Sequence, residues 1–261
     1  LAAAGYKYVN LDDCWMERHR DNVTGMLVPN RRTFPSGMAA MGRRLHDKGL
    51  FFGLYSDRGF RTCQAFPGLL GSEARDVATM AGWGVDFLKN DACYTISPSA
   101  KENLGADSRT PPWPLPAAYE LYAKTFGALA ASGRAIVHNI KDGVAPLRAR
   151  AVSHLRRCGY DIGDSFGSVV GAFRSCPTGA NSDAGPGFWN DPDSLEVGHG
   201  TQTRAEYVAH FTLWCAMKAA LILGMDLGAP RCADCAGADD VWAIVKNREL
   251  IALNQDALGA P

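Results

Sequence analysis

The chain has 261 residues, 47% of them hydrophobic and 21% charged, which is the composition of an ordinary folded globular protein. Lysine and arginine together number 27, as do aspartate and glutamate, so no cationic excess favours nucleic acid or an anionic membrane as partner. The longest apolar runs, such as 219–225, are shorter than the roughly 18 residues that a membrane-spanning helix needs.

Apolar segments of strand length alternate along the chain with amphipathic segments of helical length. The first half is predicted to hold strands at 6–11, 50–55 and 85–88, a polar loop after the first strand, and helices at 38–48, 73–81 and 117–131. The second half is predicted to hold strands at 135–140, 160–162 and 220–223, and helices at 146–157, 165–173, 205–218 and 239–253. A strand followed by a helix, repeated about seven times at intervals of roughly 30–40 residues, predicts parallel βαβ units.

Parallel βαβ units close into an eight-fold (β/α)8 TIM barrel or stay open as a doubly wound sheet. No glycine-rich phosphate-binding sequence follows a strand, which counts against a nucleotide-binding open sheet. We therefore predict one α/β barrel domain over residues 1–261. The opening run Leu1–Gly5 resembles the tail of a helix that ends at a glycine, so a first barrel strand is expected upstream of it.

Eight cysteines are too few for a disulfide-dense scaffold and many for a cytosolic enzyme. Cys63 and Cys93 each follow a predicted strand, and a bridge between them is easy if those strands are neighbours. Cys232 and Cys235 are three residues apart, a spacing that suits either half of a zinc site or a loop disulfide. No second pair of zinc ligands is evident in the sequence, which favours the disulfide. The sequon at 22–24, Asn-Val-Thr, adds support for a secretory route. Partners are left open for Cys14, Cys158 and Cys176.

The segment 82–94 predicts a short buried strand that ends in charged residues. Lys89 and Asp91 are two apart and therefore face the same side of a strand. An ammonium beside a carboxylate favours the ionised carboxylate, and an ionised carboxylate on a rigid strand is what covalent attack on a sugar carbon requires. From these residues alone, a structural ion pair at a strand end is an equal alternative.

Aspartates recur at or just after the carboxyl ends of the predicted strands. They are Asp12, Asp13, Asp57, Asp91, Asp161, Asp191, Asp193 and Asp226. In a barrel these ends converge on the mouth that holds the active site, and six such ends are more than capping and turns explain. With Trp15, Tyr55 and Trp189 nearby, such a mouth suits a neutral ligand that is rich in hydroxyl groups.

Clustered carboxylates also bind Mg²⁺ or Ca²⁺, so a metal site is the rival interpretation. Lys89, Arg58 and Arg157 on the same rim would oppose a cation, and none of the six histidines has ligand spacing to another. The sequence therefore predicts a site without metal or other cofactor.

Five segments together resemble the α-galactosidase/α-N-acetylgalactosaminidase glycosidases, the melibiase-like family 27 of the retaining glycoside hydrolases. They are 11–15 (LDDCW), 53–57 (GLYSD), 83–94 (WGVDFLKNDACY), 184–193 (AGPGFWNDPD) and 252–259 (ALNQDALG), in family order. The resemblance implies a (β/α)8 barrel followed by a small antiparallel β-domain, and this chain is expected to lack both the first strand and that domain. It also implies a secreted or lysosomal/vacuolar enzyme that acts on a terminal α-linked sugar of a glycan or smaller molecule, with a homodimer left open.

Residue roles carried over by position complete what the resemblance implies. Asp91 corresponds to the catalytic nucleophile and Asp161 to the acid/base. Sugar contacts are implied for Asp12, Asp13, Trp15, Tyr55, Lys89, Lys141, Arg157 and Asp193, and a disulfide for Cys63 with Cys93.

The chain also departs from the family. Residues 140–142, Ile-Lys-Asp, stand where the family often has Cys-Glu-Trp or Cys-Ser-Trp in the loop that discriminates the substituent at the sugar's C2. Asn90 replaces a usual aromatic residue and Ser194 a usual methionine. The exact sugar is therefore left open, and a catalytically impaired barrel that only binds carbohydrate is the alternative function.

Overall fold

The structure is a computed structural model that describes residues 1–94, 115–141, 146–177 and 182–259. The chain divides into two compact units. Residues 7–155 form the first, called here the N-terminal unit, and residues 1–6 with 156–261 form the second, called the C-terminal unit. Among the helices described, none combines the length and apolarity that crossing a bilayer demands.

The N-terminal unit is built on parallel strands with helices between them. Its strands are β1 (Tyr8–Leu11), β2 (Met16–Arg20), β3 (Leu27–Pro29), β4 (Phe51–Asp57), β5 (Phe87–Asp91) and β6 (Val137–Ile140). Its helices are α1 (Gly37–His46), α2 (Glu73–Gly82), α3 (Leu115–Ala131) and α4 (Pro146–Ala149). Strands β1, β4, β5 and β6 are parallel neighbours in that order, whereas β2 and β3 form an antiparallel pair.

Strand β4 is buried along six of its seven residues, as expected for a parallel strand covered on both faces. Phe52 and Leu54 of this strand are at most 1% exposed and belong to one core with Met38 of α1 and Val77 and Met80 of α2. The register places Tyr55 beside Lys89 and Asp57 beside Asp91. Packing of β4 therefore fixes which side chains meet at the carboxyl ends of these strands.

The C-terminal unit is mainly helical. Strand β7 (Leu155–Arg157) begins at the end of the N-terminal unit, and β8 (Trp189–Asp191) lies in the C-terminal unit. The helices are α5 (Phe166–Ser175), α6 (Arg204–Ala216), α7 (Ala238–Val245) and α8 (Arg248–Gln255).

Side-chain caps define where two of these helices begin. The Ser165 hydroxyl accepts from the N–H of Ser168 at the start of α5, and Thr203 with Glu206 forms a capping box at the start of α6. Fully buried Phe211 and Trp214 of α6 pack in the core of this unit.

Several predicted elements are wrong, and each error has a local cause. The helix predicted at 146–157 ends at Ala149, and 155–157 is strand β7 instead. The strand predicted at 160–162 is absent, and Gly159, at φ +130°, follows the strand that exists. The helix predicted at 239–253 is two helices, because Asn247 caps the second through its side chain.

Two further segments differ from expectation. The polar loop predicted after the first strand contains the β2–β3 pair. The segment 220–223 forms no strand, and Leu223 makes a single isolated bridge to Leu195.

Candidate active site

Asp91 is the last residue of β5, and two donors hold its carboxylate. Its Oδ2 accepts the Tyr55 hydroxyl at 2.9 Å, and its Oδ1 accepts the backbone N–H of Ala92 at 2.8 Å. The strand predicted at 85–88 runs from 87 to 91, so Lys89 and Asp91 lie within it rather than after it. A regular strand therefore orients both side chains toward Tyr55.

Tyr55 is 2% exposed and serves as the support of Asp91. Burial and the negative charge of Asp91 raise the pKa of Tyr55 far above its usual value, so the phenol stays a proton donor. The indole N–H of Trp15 donates to the carbonyl of Tyr55 at 2.8 Å, and the Trp15 ring is also 2% exposed. Trp15, assigned as a sugar contact by the resemblance, is therefore in a position to support Tyr55 from the core.

Lys89 joins the residues after β1 to β5. Its Nζ lies 2.8 Å from Oδ2 of Asp12 and 5.1 Å from the centroid of the Tyr55 ring. The Asp12 side chain is 66% exposed. Asp13 points elsewhere, since its Oδ2 accepts the backbone N–H of Gln64 at 2.9 Å. Asp12 is thus available to solvent, whereas Asp13 fastens the segment that follows β4.

Asp57 lies behind the nucleophile candidate and was not assigned a site role from the sequence. Its side chain is fully buried, and its two oxygens accept the N–H groups of Gly59 and Cys93, each at 2.6 Å. Burial, together with the charge of Asp91, raises the pKa of Asp57 well above its ordinary value. Its position at the end of β4 was visible in the sequence, but its burial depends on tertiary packing.

Three disulfides are formed. Cys63–Cys93, implied by the resemblance, ties the segments that follow β4 and β5, with 5.1 Å between the Cα atoms. Cys158 pairs with Cys176, and Cys232 pairs with Cys235, as the loop-disulfide interpretation expected. Cys14 and Cys215 remain as thiols. Three bridges fit an extracellular or secretory compartment.

The described residues contain two groups of ligand-type atoms close enough to share an ion. One consists of Asp57, Cys63, Asp91 and Cys93, and the other of Cys232, Asp234 and Cys235. In both groups the sulfurs are bonded to each other as disulfides, and only thiolates are good metal ligands. The remaining carboxylates already accept hydrogen bonds from protein donors, so these groups do not support a metal centre.

Strand β6 places a neutral histidine behind β5. His138 Nδ1 lies 2.7 Å from the Val152 carbonyl and therefore carries the proton, while Nε2 lies 3.1 Å from Nδ2 of Asn90. Burial lowers the pKa of His138 to about 4. Asn90 stands between Lys89 and Asp91, where the family usually has an aromatic residue, and its amide has a buried polar partner in His138.

Lys141 follows β6 and is the last described residue of the loop at 140–142. Its carbonyl accepts the Tyr122 hydroxyl at 3.1 Å, which anchors the backbone to α3. Asp142 lies outside the described residues.

The C-terminal unit holds a second group of predicted residues around Arg157, the last residue of β7. The Arg157 side chain is 4% exposed, and its Nη2 lies 2.9 Å from Oδ1 of Asp161, 2.5 Å from Oδ2 of Asp193 and 2.8 Å from the Tyr160 carbonyl. Asp161 is 86% exposed and can reach solvent or a ligand. Burial acts to lower the pKa of Arg157, but the surrounding carboxylates outweigh it and raise that pKa, so the guanidinium remains charged.

The family model described as Alpha galactosidase A matches residues 1–256. A curated alpha-galactosidase from Cyamopsis tetragonoloba is 41% identical over 99% of this chain and 57% of its own length. Among solved structures, alfa-galactosidase from Saccharomyces cerevisiae with raffinose has a TM-score of 0.85 at 30% identity, covering 99% of this chain and 57% of that one. Alpha-galactosidase I from Mortierella vinacea has a TM-score of 0.82 at 29% identity, covering 100% and 66%.

These comparisons confirm the predicted (β/α)8 barrel class, because the matched structures are barrel enzymes and the described strands and helices follow the same parallel pattern. The chain spans about 57% of the length of the first curated relatives that it matches. The predicted resemblance is confirmed as well: the chain belongs to the Alpha galactosidase A family of glycosidases.

Proposed function

We propose that this chain carries the catalytic residues of a retaining glycoside hydrolase that removes terminal α-galactosyl residues. The observation that supports the proposal most is the arrangement at the end of β5. There Asp91 is held by the Tyr55 hydroxyl and a backbone N–H, and Lys89 lies on the same face of the strand. A positioned carboxylate of this kind is the nucleophile that a double displacement requires.

In the proposed first step, Asp91 attacks the anomeric carbon while protonated Asp161 gives its proton to the leaving oxygen. The bond from sugar to leaving group breaks, and a covalent glycosyl-aspartate forms. In the second step, water attacks the same carbon as Asp161 takes a proton from it, which releases the sugar and free Asp91. Tyr55 holds the carboxylate oxygen that does not attack.

Sugar binding is proposed for the residues that the resemblance selected and that keep polar atoms exposed. Asp12, 66% exposed beside Lys89, is able to accept bonds from sugar hydroxyls. A galactosyl group is proposed because the matched relatives are named alpha-galactosidases, and one solved relative was determined with raffinose. A glycan substrate and a secreted or lysosomal/vacuolar location belong to the same proposal.

A covalent trap tests the nucleophile. Fluorine at C2 of an α-galactoside destabilises the oxocarbenium-like transition states of both steps, and an activated leaving group restores the rate of the first, so the glycosyl-enzyme accumulates. We expect the chain to gain the mass of one fluorosugar, on the peptide that contains Asp91, and expect no label in Asp91→Asn. Asp239→Asn, an exposed aspartate in the first turn of α7, is the matched control and should label like wild type.

The alternative function is carbohydrate binding without turnover. It is favoured by the replaced loop at Lys141. Calorimetric binding of galactose together with no labelling and no hydrolysis of any α-galactoside would select it. Labelling at a residue other than Asp91 would instead disprove the nucleophile assignment.

A further inference from the structure

Asp193 has its carboxylate occupied by protein partners, although the resemblance assigned it to sugar binding. Its Oδ1 accepts the N–H of Ser194 at 2.8 Å. Its Oδ2 accepts the N–H of Ile162 at 2.9 Å and lies 2.5 Å from Nη2 of Arg157. The side chain is only 16% exposed. One carboxylate thus ties the end of β7, the loop that carries Asp161 and its own loop after β8.

The backbone of Asp193 is itself held in an unusual conformation. Its φ is +90°, a value that a residue with a Cβ adopts only under constraint. Two buried side chains supply that constraint. Oδ1 of Asp191 accepts the Asp193 N–H at 2.9 Å, and the Trp214 indole N–H donates to the Asp193 carbonyl at 2.9 Å. Trp214, on α6, is fully buried.

Arg157 faces more acceptors than its nitrogen can serve. Nη2 carries two protons, yet three acceptors lie within 2.9 Å of it: the Tyr160 carbonyl, Asp161 and Asp193. The three acceptors therefore share two protons, and Asp161 and Asp193 compete for the charge of Arg157. A general acid must hold its own proton before it can donate, and a cation bound to Asp161 alone would oppose that.

We propose that Asp193 is a positioning residue for the acid/base: it takes the buried charge of Arg157 and pins the loop at Ile162, so that Asp161 can be protonated. Trp214 and Asp191 act one step further away, by holding the Asp193 backbone. This inference rests on the proposed function, because it assumes that Asp161 is the acid.

Other charged groups of the described C-terminal unit lie around the Asp193–Arg157 pair, among them Asp164 near Glu196. Arg157 comes from β7 and Asp191 from β8. Glu196 follows Asp193 along the chain, and its Oε2 lies 3.3 Å from Nδ1 of His199. Burial raises the pKa of Asp193, Arg157 opposes that rise, and Asp191 adds to it. Asp193→Asn removes a negative charge near Asp161 and also leaves Asp161 as the anionic partner of Arg157 within this trio. The lost repulsion and the gained attraction both favour the ionised form of Asp161.

The test measures the titration of Asp161 directly, in the whole chain. Aspartate labelled with ¹³C at the carboxyl carbon gives one signal per residue, and Asp161→Asn identifies the signal by its loss. In Asp193→Asn we expect the midpoint of the Asp161 signal to fall by about one pH unit. Trp214→Phe keeps the ring but removes the donor, so a smaller shift in the same direction is expected.

Two matched controls separate positioning from general loss of stability. Asp239→Asn removes an exposed charge from α7, and Trp242→Phe makes the same aromatic change at a half-buried site, so neither should move the Asp161 signal. If Asp193→Asn folds and leaves that midpoint in place or raises it, the inference is wrong. If Asp193→Asn does not fold, an unmoved signal in Trp214→Phe overturns it.

Kinetics distinguish failure of this inference from failure of the proposed function. If Asp161 is the acid, Asp161→Ala should slow galactosides with poor leaving groups far more than activated aryl galactosides. Equal loss for both substrates refutes the acid assignment, whatever the titration shows. With that assignment intact, the alkaline limb of kcat/KM in Asp193→Asn should move to lower pH, and an unmoved limb counts against Asp193.

Discussion

At the scale of single residues, the Tyr55 hydroxyl is the donor on which the proposed nucleophile depends. It reaches Asp91 at 2.9 Å from a side chain that is 2% exposed, and Trp15 holds the Tyr55 carbonyl from behind. A buried donor of this kind orients one carboxylate oxygen and leaves the other lone pairs for attack. It is also already oriented when the carboxylate of Asp91 regains its negative charge in the second step, so no reorganisation is needed then.

Tyr55→Phe removes this donor and little else. A hydrogen bond to a charged group contributes about 1.5–3 kcal/mol, so kcat should fall roughly ten- to a hundredfold with a smaller change in KM. Steady-state kinetics with an aryl α-galactoside measure both quantities. Tyr6→Phe is the control, since the Tyr6 hydroxyl donates to the Val245 carbonyl and both residues belong to the C-terminal unit. Wild-type kcat in Tyr55→Phe would show that the contact has no catalytic role.

The sequence indicates those site residues whose role depends on strand position. Lys89 and Asp91 follow from alternation along one strand, and the register with β4 adds Tyr55. The role of Asp57 could not be predicted, since its two donors come from the turns after β4 and β5. The same holds for Trp214, whose N–H meets a carbonyl 21 residues earlier in the chain. Such contacts are set by tertiary packing, which no local pattern records.

At the scale of elements, β7 shows why a local pattern can mislead. The segment 146–157 is rich in arginine and was predicted as one helix, yet Arg156 and Arg157 belong to a strand. Long-range pairing decides the outcome: the His154 N–H donates to the His138 carbonyl, and the Cys158 N–H donates to the Asp191 carbonyl. Intrinsic preference is a weak determinant when a sheet supplies these partners. Strands 50–55 and 85–88 were predicted because their apolar runs have no helical competitor.

Helix α8 depends on a buried lysine at its carboxyl end. Lys218 Nζ donates to the Leu253 carbonyl at 2.8 Å and to Asp256 at 2.7 Å, with 3% of its side chain exposed. The last carbonyls of a helix lack partners within the helix, and a cation there also suits the helix dipole.

Lys218→Met should therefore lower the free energy of unfolding by about 1–3 kcal/mol, because it removes both the donor to the Leu253 carbonyl and the charge-assisted bond to Asp256. Urea unfolding at neutral pH, followed by circular dichroism, measures the change. Lys246→Met is the control: Lys246 is exposed and rests on the Trp242 ring. Equal stability of the two variants would mean that water replaces the lysine without cost.

At the scale of the whole molecule, each unit buries one neutral histidine. His138 lies in the N-terminal unit and His210 in the C-terminal unit, both fully buried. Burial lowers the pKa of His138 to about 4 and that of His210 to about 3. Among the described residues neither ring nitrogen of His210 has a hydrogen-bond partner, although the ring packs 4.1 Å from that of Trp214.

The sign of the resulting pH dependence follows from proton counting. Between about 3 and the ordinary value of 6.5, the unfolded chain protonates His210 and the folded chain does not. Above pH 6.5 both states hold a neutral His210, so it costs no stability through protonation. The free energy of unfolding then decreases as pH falls from 6.5 toward 3. Asp57 and Asp193 act in the opposite direction, since burial raises their pKa. The contribution of His210 is therefore measured as the difference in unfolding free energy between wild type and a variant that lacks this histidine.

His210→Phe keeps an aromatic ring of similar size and removes the titrating group. Measured against wild type, its relative stability should rise as pH falls from 6.5 to 4.5, by up to about 1.4 kcal/mol per pH unit. Urea unfolding at several pH values gives this difference, and His199→Gln, an exposed histidine beside Glu196, is the histidine control. Parallel stability curves for His210→Phe and wild type would show that His210 takes up its proton at the same pH in the folded and the unfolded chain. His210→Phe leaves the Trp214 indole N–H free to donate to the Asp193 carbonyl. The titration of Asp161 should therefore be the same in this variant as in wild type.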